Sequence, residues 1–546
     1  MKKYYMQFVK KNEEVVRKEL NNMDLDPSSP FCGGVYDVDG IIEPNHVIGN
    51  LINFSSAYYC EDSKYYKNPL LYKAMMYSYG YIARVQRPDG TMDFLRSNFF
   101  AAPGFEMHVL GRVYKIMDKF AVSKDEIALK QAHYDILKKL ARGLYNGGFH
   151  TPNHRWVDTA GLSLAYNITG EEYLKEKALK YLAEGIDIDE YGDFAERSPG
   201  IYNAVNDNAL FIVAEEIDMP ELYEHIDRNM QHLYSYLEPD GSIFTQNSTR
   251  QDKGEGAAGR AFFPTNYYHV YIKGALVFGS NQYAKFADHI VQEAIADGRG
   301  VPNVLWLYLI EDGLKDMDFD FDDIPVVYEK FYEKTNIVRW RNNDISVSLL
   351  GNNANFMFIQ KGKLRCYARM SSSFFAVAQF RPKKITKTAN GYNMTFTAYG
   401  SYKKPFEVPP ETSDWHQMDH SKRPVVNEVE LTYDVNVAMK DHTIELKVQT
   451  TGCDRVPFKI EFCFSPKSKI SGNGYIIHGT PGGYVNALNG DVKVKAGEDT
   501  MTVGPAFSKH DYTQNLRGSV PKSSTDFTVY FTEFTNIDKT IKIVCE

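Results

Sequence analysis

The chain has 546 residues, of which 43% are apolar and 24% are charged. This globular composition excludes wholesale disorder, and the length predicts roughly two to four domains. With 62 Lys and Arg against 70 Asp and Glu, the net charge is −8. That balance argues against a protein that grips a nucleic-acid backbone through a basic surface.

The N-terminus and the cysteines indicate a cellular setting. The first 20 residues predict an amphipathic helix and lack the apolar run of a signal peptide, and no stretch approaches the ~18 uninterrupted apolar residues of a membrane span. The six cysteines form no C-x-x-C pair, so neither a zinc ribbon nor a disulfide framework is encoded. We therefore expect a cytoplasmic protein with reduced thiols and no membrane partner.

The first 320 residues predict a helical domain, because apolar residues recur at spacings of three and four. The predicted helices after the N-terminal one span 68–85, 105–120, 124–145, 156–168, 171–183, 201–216, 220–237, 265–277, 281–296 and 301–312.

Glycine-containing turns recur between these helices. Gly90, Gly148, Gly192 and Gly241 follow one another at steps of 58, 44 and 49 residues, the length of one two-helix hairpin with its connections. Repeated hairpins build an open solenoid or a closed toroid. Because the polar residues cluster in the loops after these turns, we favour an (α/α) toroid whose loops converge at one end.

The pattern changes after an acidic connector at 315–325. From residue 321 to 546, segments such as 345–349, 429–433, 444–448 and 527–531 alternate apolar and polar residues, which is typical of antiparallel sheets with one solvated face. The sequence thus predicts a multidomain chain, with an (α/α) toroid at 1–320 followed by an antiparallel β-sandwich at 321–546.

Two loop segments carry the densest sets of reactive side chains. Residues 147–161, GGFHTPNHRWVDTAG, contain His150, Asn153, His154, Arg155, Trp156 and Asp158 just before or within a predicted helix start. Residues 192–207, GDFAERSPGIYNAVND, contain Glu196, Arg197, Tyr202 and Asn203, and Tyr202 follows His154 by 48 residues, one hairpin later. An ordinary helix entry and a Glu196–Arg197 pair are the structural alternatives.

Weaker candidates lie in other segments. They are Asp93, Arg96 and Asn98; Glu106 and His108; Arg250, Asp252, Glu255 and Arg260 in a polar glycine-rich segment that we interpret as a mobile loop; Tyr367 and Arg369; and His416, Asp419 and His420. The spacing of His416 and His420 would suit a metal only on a helix, which the surrounding sequence does not predict. No phosphate-binding G-x-x-x-x-G-K motif is present, and we predict neither a metal nor a cofactor.

The segments TPNHRW and AERSPGIYN, within a helical toroid followed by a β-sandwich, resemble the heparinase II/III-like polysaccharide lyases, which include alginate lyases. The resemblance implies that Asn153 and His154 neutralise a uronate carboxylate and that Tyr202 transfers a proton. The His-rich segment that many members carry at the sandwich entrance is absent, and Tyr367 and Arg369 stand there instead.

The residue types agree with β-elimination, which requires a neutralised carboxylate as the enolate develops. The predicted catalytic residues are Asn153, His154, Tyr202 and Glu196, and the predicted substrate-binding residues are His150, Arg155, Trp156, Arg197, Asp93, His108, Tyr367 and Arg369. The predicted partner is a glycan that contains uronic acid, and the sequence leaves a homo-oligomer open.

Two other functions stay open at this point. A toroid of this kind also suits a β-glucuronidase-like glycoside hydrolase, which needs two carboxyl groups, and these are available among Asp93, Glu106, Asp158 and Glu196. A non-catalytic glycan-binding or scaffold protein is the third interpretation. Its helical repeats would more often carry their variation on helix faces than in polar loops.

Overall fold

The computed structural model describes residues 2–93, 103–254 and 261–546. Within these ranges it contains twelve α-helices, all before residue 311, and seventeen β-strands, all after residue 326. The predicted order of a helical part followed by a β part is confirmed. In the described ranges, no helix combines the length and the apolar character needed to cross a membrane.

The chain divides into two compact units. The first comprises Met1–Tyr234, Ser248–Asp252 and Phe263–Ile324, and the second comprises Ser235–Asn247, Lys253–Phe262 and Pro325–Glu546. The helices of the first unit are α1 (Tyr5–Asn21), α2 (Pro44–Tyr59), α3 (Pro69–Val85), α4 (Pro103–Phe120), α5 (Lys124–Asn146), α6 (Pro152–Thr169), α7 (Glu172–Leu182), α8 (Tyr202–Glu216), α9 (Leu222–Tyr234), α10 (Tyr268–Phe278), α11 (Asn281–Ala296) and α12 (Leu305–Ile310).

The helices of the first unit form a ring. The even-numbered helices contact one another in chain order, α2 with α4, α4 with α6, α6 with α8, and α8 with α10. The hydroxyl groups of Tyr268 on α10 and Tyr308 on α12 lie 2.6 Å apart, and α12 contacts α2, which closes the ring. Each odd-numbered helix from α1 to α11 packs against its even-numbered neighbour. This arrangement of paired helices is the predicted (α/α) toroid.

Local sequence signals set where several of these helices begin. Proline occupies the first position of α2, α3 and α6, where its fixed φ angle suits a helix and its missing N–H costs nothing. Helix α5 begins at a capping box, in which the Ser123 side chain accepts from the Glu126 N–H and the Glu126 side chain accepts from the Ser123 N–H. Helix α2 was missed by the sequence analysis, since its Gly, Asn and Ser residues weaken the helical signal.

The glycine turns predicted to repeat share a conformation at three of the four positions. Gly90, Gly192 and Gly241 all have positive φ angles. A Cβ atom on Gly90 would lie 2.0 Å from the Lys139 carbonyl oxygen of α5, and one on Gly192 would lie 2.4 Å from the Arg228 carbonyl oxygen of α9. Only glycine fits such an approach, so the Gly90 turn packs closely against α5 and the Gly192 turn against α9.

The strands of the second unit are β1 (Val327–Tyr332), β2 (Ile337–Asn342), β3 (Ile345–Leu350), β4 (Met357–Lys361), β5 (Leu364–Ser372), β6 (Ile385–Thr388), β7 (Gly391–Lys403), β8 (Val425–Lys440), β9 (Thr443–Gly452), β10 (Pro457–Phe464), β11 (Lys469–Gly472), β12 (Tyr475–His478), β13 (Tyr484–Asn486), β14 (Asn489–Ala496), β15 (Asp499–Phe507), β16 (Phe527–Phe534) and β17 (Asp538–Cys545).

These strands form two sheets. One has the order β1-β2-β3-β4-β5-β10-β16-β13 and the other β12-β11-β14-β15-β17-β9-β8-β7-β6. All named pairs are antiparallel except β13 with β16. A single apolar core contains residues of both sheets, for example Val347 and Phe462 from the first and Val435 and Ile543 from the second. The second unit is therefore a β-sandwich, as the alternating pattern predicted.

Candidate active site

Helix α6 carries Asn153 and His154 in its first turn, directly after Pro152. Both side chains are buried. The N-cap residue Thr151 makes no capping bond with its side chain; instead its Oγ1 accepts a hydrogen bond of 3.2 Å from Asn153 Nδ2. The sequence analysis placed these residues before or at a helix start, and the helix begins four residues earlier than predicted.

Asn153 and Glu196 are joined by hydrogen bonds. Asn153 Nδ2 donates to both carboxylate oxygens of Glu196, at 3.0 and 2.9 Å. Glu196 lies in the loop between α7 and α8 and is 4% exposed. Asn153 Oδ1 is buried and has no hydrogen-bond partner in the described ranges. The two segments that the sequence analysis singled out therefore meet at this pair.

Arg250 adds a cation to the pair. Its Nε lies 3.3 Å from Glu196 Oε1, and its guanidinium lies 4.9 Å from the centre of the Tyr202 ring. The adjacent Thr249 holds this segment in place, because its Oγ1 donates to the Glu196 carbonyl oxygen at 2.8 Å. Tyr202 begins α8, where its N–H donates to Ser198 Oγ at 3.2 Å.

Arg250 was a weak candidate in the sequence analysis, because its glycine-rich surroundings suggested a mobile loop. Two further backbone tethers hold the segment: the Thr249 N–H donates to the Glu196 carbonyl oxygen at 3.3 Å, and Asp252 accepts from the Gly200 N–H at 2.9 Å. A signal existed in the spacing, since Arg250 follows Tyr202 by 48 residues, the same interval that separates Tyr202 from His154. Three consecutive repeats thus each contribute a side chain to one site.

Burial shifts the proton equilibria of this site. Desolvation raises the pKa of Glu196, although its hydrogen bonds from Asn153 and the charge of Arg250 oppose the shift. Burial lowers the pKa of His154 to about 4, with further contributions from His150 and Arg250. His154 is therefore a neutral imidazole at pH 7, and it can accept or donate a single proton in a hydrogen bond.

His150 and Phe105 surround the His154 ring. The ring centres of His150 and His154 lie 4.7 Å apart at an interplanar angle of 84°, and the Phe105 ring meets His154 edge-on at 5.3 Å. The structure thus brings together five of the predicted site residues, namely Asn153, His154, Glu196, Tyr202 and His150, and it adds Arg250.

Arg155 and Trp156 turn toward the loop that follows α7. Trp156 Nε1 donates to Asp187 Oδ1 at 2.6 Å, and Arg155 pairs with Asp187 at 3.3 Å and with Glu184 at 2.9 Å. The Arg155 guanidinium also lies 4.1 Å from the centre of the Trp156 ring. Two carboxylates of the protein already pair with Arg155, and its predicted role in substrate binding stays a prediction.

The remaining predicted residues of the first unit have separate surroundings. His108 is buried, its Nε2 lies 3.0 Å from the Val157 carbonyl oxygen, and burial lowers its pKa to about 3. Asp93 pairs with Arg87 on the surface. Arg197 has a positive φ of 46°, and its charge opposes the burial that raises the pKa of Asp193 to about 8. Arg96, Asn98, Glu255 and Arg260 lie outside the described residues.

Tyr367 and Arg369 lie on β5 in the second unit. The Tyr367 hydroxyl donates to Asp526 at 3.0 Å, and Arg369 pairs with Glu461 and donates to the Pro521 carbonyl oxygen at 2.9 Å. Both side chains are buried. These contacts account for the two residues within the sandwich, and their predicted substrate-binding role stays a prediction.

In the ranges that the structure describes, no group of three or more His, Cys, Asp or Glu side chains is arranged to hold a metal ion. His420, one of the two histidines considered as ligands, lies on the surface, where its Nε2 is 2.8 Å from the Trp415 carbonyl oxygen.

Comparison by sequence finds no matching protein family and no matching curated protein. Comparison of structures finds polysaccharide lyases. A xanthan lyase from Paenibacillus is 10% identical with a TM-score of 0.57, over 98% of this chain and 56% of that one. Heparinase III is 9% identical with a TM-score of 0.55, over 98% and 84%. The chondroitin AC lyase of Streptomyces coelicolor A3, in complex with chondroitin sulphate, is 11% identical with a TM-score of 0.52, over 99% and 79%.

The chain spans little more than half the length of the xanthan lyase that it matches. These likenesses extend over nearly the whole of this chain, so both of its units, the helical toroid and the β-sandwich, have counterparts in each of the three lyases. The chain therefore has the heparinase-like lyase fold that the sequence resemblance implied.

Proposed function

We propose that this protein is a lyase that cleaves glycans containing uronic acid by β-elimination. The observation that carries the proposal is the connected set of side chains Asn153, Glu196, Arg250 and Tyr202, with the neutral imidazole of His154 beside it. The lyase fold supports the proposal, since the three similar structures are named for their action on xanthan, chondroitin or heparin-type glycans.

The reaction imposes three requirements. A base removes the proton on the carbon next to the carboxylate, the electrons of that bond form a carbon–carbon double bond, and the glycosidic C–O bond breaks as the leaving oxygen receives a proton. The carbon acid is too weak unless the charge of the carboxylate is neutralised as the enolate develops. No water is consumed, so the two products together have the mass of the substrate.

The site has the groups to neutralise a uronate. Arg250 supplies a fixed positive charge, and the neutral His154 can donate one hydrogen bond to a carboxylate oxygen. Asn153 supports these groups, because its Nδ2 donates to Thr151 and to both oxygens of Glu196, the carboxylate that pairs with Arg250. Glu196 then acts as a positioning residue for Asn153 and Arg250.

Tyr202 is the proposed proton-transfer residue. It stands at the first position of α8, and the Arg250 guanidinium lies against its ring face. As a phenolate, Tyr202 would take the proton from the carbon next to the carboxylate and become the neutral phenol. The same hydroxyl can return the proton to the leaving oxygen, so one residue would serve both halves of the elimination.

A glycoside hydrolase is the competing function, with the buried Glu196 as its acid. Such an enzyme requires a second carboxyl group about 5 to 9.5 Å away. The two side chains that the structure places in direct contact with the Glu196 carboxylate are an amide and a guanidinium. This environment suits a positioning role better than membership of a catalytic carboxyl pair.

The test is to incubate the purified protein with a panel of oligosaccharides that contain different uronic acids. A lyase produces the ultraviolet absorbance of a conjugated alkene and products whose masses sum to that of the substrate. Tyr202→Phe should abolish the absorbance, whereas Tyr166→Phe, a surface tyrosine on α6 that donates to Glu172, should leave it unchanged.

Products that gain one water without absorbance would identify a hydrolase, and Glu196→Gln would then be the inactive variant. The cytoplasmic location stays a prediction that cell fractionation would test, and gel filtration would determine the oligomeric state that the sequence leaves open.

A further inference from the structure

The even-numbered helices from α4 to α12 surround a second pocket in the first unit, with a cavity of about 70 Å³. Its walls come from α4, α6, α8, α10 and α12. They include the apolar side chains Leu164, Phe211, Ile212, Leu307 and Ile310, and the polar side chains Arg112, Lys115, Asn208, Glu215, His269, Lys273, Trp306 and Glu311.

This pocket is separate from the candidate active site. Arg112 is nine residues beyond the start of α4 at Pro103, which is ~13 Å along the helix at 1.5 Å per residue. Asn208 is six residues beyond Tyr202 on α8, or ~9 Å. The candidate active site lies at the first turns of α6 and α8, whereas Arg112 and Asn208 lie further along their helices.

The two lysines in the pocket wall are paired with carboxylates of the protein. Lys273 Nζ lies 2.6 Å from Glu215 and 2.7 Å from Glu311. Lys115 pairs with Glu216, which also accepts a hydrogen bond of 2.6 Å from Asn167. These lysines therefore have carboxylate partners of their own.

Arg112 differs from them. Its Nη2 donates to Asn208 Oδ1 at 2.6 Å, and its guanidinium lies 4.0 Å from the centre of the Trp306 ring. Among the described residues, no carboxylate lies within ion-pair distance of it. The other titratable groups that its charge affects are His108 and His269, whose pKa values are lowered to about 3, so both are neutral at pH 7. Burial lowers the pKa of Arg112 itself to about 10.

We propose that this pocket is a binding site for a small organic anion, with the carboxylate on Arg112 and an apolar body against the leucine, isoleucine and phenylalanine side chains. A guanidinium without a counter-ion in a partly desolvated site is unfavourable, and a carboxylate that accepts two of its N–H groups relieves that cost. The cavity has room for about five water-sized groups, which matches a short-chain monocarboxylate. The site does not depend on the proposed activity.

Butyrate is a suitable probe and butyramide its uncharged counterpart. Titration calorimetry should show saturable binding of butyrate and at least tenfold weaker binding of butyramide. Quenching of tryptophan fluorescence should accompany butyrate binding and should disappear in Trp306→Phe, which keeps Arg112 but removes the adjacent indole. Equal binding of the two probes, or no saturable butyrate binding at tens of millimolar, would overturn the proposal.

Two variants test the assignment of Arg112. Arg112→Met should weaken butyrate binding at least tenfold. Asn208→Asp gives Arg112 a carboxylate within the protein at the position of the present amide oxygen, so it should also weaken butyrate binding at least tenfold while raising the melting temperature. Asn21→Asp changes the net charge equally at the exposed end of α1 and should leave binding unchanged. Unchanged affinity in Asn208→Asp would show that the anion does not bind at Arg112.

Discussion

Two buried carboxylates, Glu461 in the sandwich and Glu196 in the toroid, have different surroundings. Glu461 in the sandwich is 1% exposed, and it pairs with Lys459 at 2.5 Å and with Arg369 on the neighbouring strand β5. Both cations have further bonds, Lys459 to the Thr513 carbonyl oxygen at 2.8 Å and Arg369 to that of Pro521. Glu196 in the toroid is also buried, but among the described residues one cation contacts it, at 3.3 Å, and burial raises its pKa.

This difference distinguishes a carboxylate with a structural role from one that can act on a substrate. A carboxylate held by two buried cations with satisfied bonds is fixed in one geometry and has no capacity for a ligand. A carboxylate with a raised pKa and one partner, next to a partly exposed arginine and a phenol, retains groups that can act on a substrate. The same comparison distinguishes Arg369, which is fully paired, from Arg112, whose guanidinium has no carboxylate partner among the described residues.

The largest expected effect is on activity in the toroid. Asn153→Ala removes the amide that bonds to Glu196 and Thr151, so Glu196 and Arg250 lose a fixed position, and we expect kcat/KM to fall by roughly 10²-fold, as for a site misplaced by about 1 Å. Alkene absorbance measures the rate. Asn167→Ala on the same helix, whose side chain bonds to Glu216, is the matched control and should keep its activity. Equal losses in the two variants would mean that Asn153 acts only through folding.

The next effect is on stability, and here the larger loss is expected in the sandwich rather than in the toroid. Glu461→Gln leaves two buried cations without their counter-ion, and we expect it to cost about 3 to 5 kcal/mol in the free energy of unfolding. Glu196→Gln removes a carboxylate whose ionised form burial already disfavours, so its cost should be below about 1 kcal/mol. Urea denaturation compares the two variants directly. Similar costs would remove the distinction between structural and functional carboxylates.

The fold and most of the side chains that meet at the candidate site could be predicted from the sequence, for identifiable reasons. Hydrophobic period and the spacing of the glycine turns depend on local chain geometry, so they predicted the paired helices and the strands. Asn153, Glu196 and Tyr202 were selected as candidates because short polar segments recur once per hairpin. Arg250 was assigned to a mobile loop, since the tethers from Thr249 and Asp252 are tertiary contacts that no local pattern encodes.

The same limit applies to residues that were selected by type alone. Arg155, Tyr367 and Arg369 have the chemistry of glycan-binding side chains, but each of them contacts a carboxylate of its own unit. Arg112 was not selected, because a single arginine in a helical pattern is typical of a solvated helix face. Its burial and its contact with Trp306 depend on the closure of the ring.

The pH dependence of stability gives a smaller test in the toroid. Burial raises the pKa of Glu106 from 4.5 to about 8, so the folded state binds this proton more tightly than the unfolded state does. The resulting stabilisation is fully present below pH 4.5 and is lost as the pH rises through 8.

We therefore expect the unfolding free energy to fall between pH 5 and 8, by a few kcal/mol at most from this group. Glu106→Gln should flatten that slope, measured by urea denaturation with helical circular dichroism. Glu176→Gln, at an exposed position of α7, should keep the slope of the parent protein. An unchanged slope in Glu106→Gln would show that this carboxyl group is not the source.

The smallest expected effect is in the sandwich. Tyr367→Phe removes a hydroxyl that donates to Asp526, which also accepts from Ser523 at 2.8 Å and from Thr525 at 3.5 Å. Loss of one such hydrogen bond should cost about 1 kcal/mol of stability and leave KM unchanged. A raised KM at unchanged stability would instead assign Tyr367 to the substrate, as the sequence predicted. Because the Tyr367 hydroxyl already has Asp526 as its acceptor, that outcome would also show that a satisfied contact does not exclude a residue from the site.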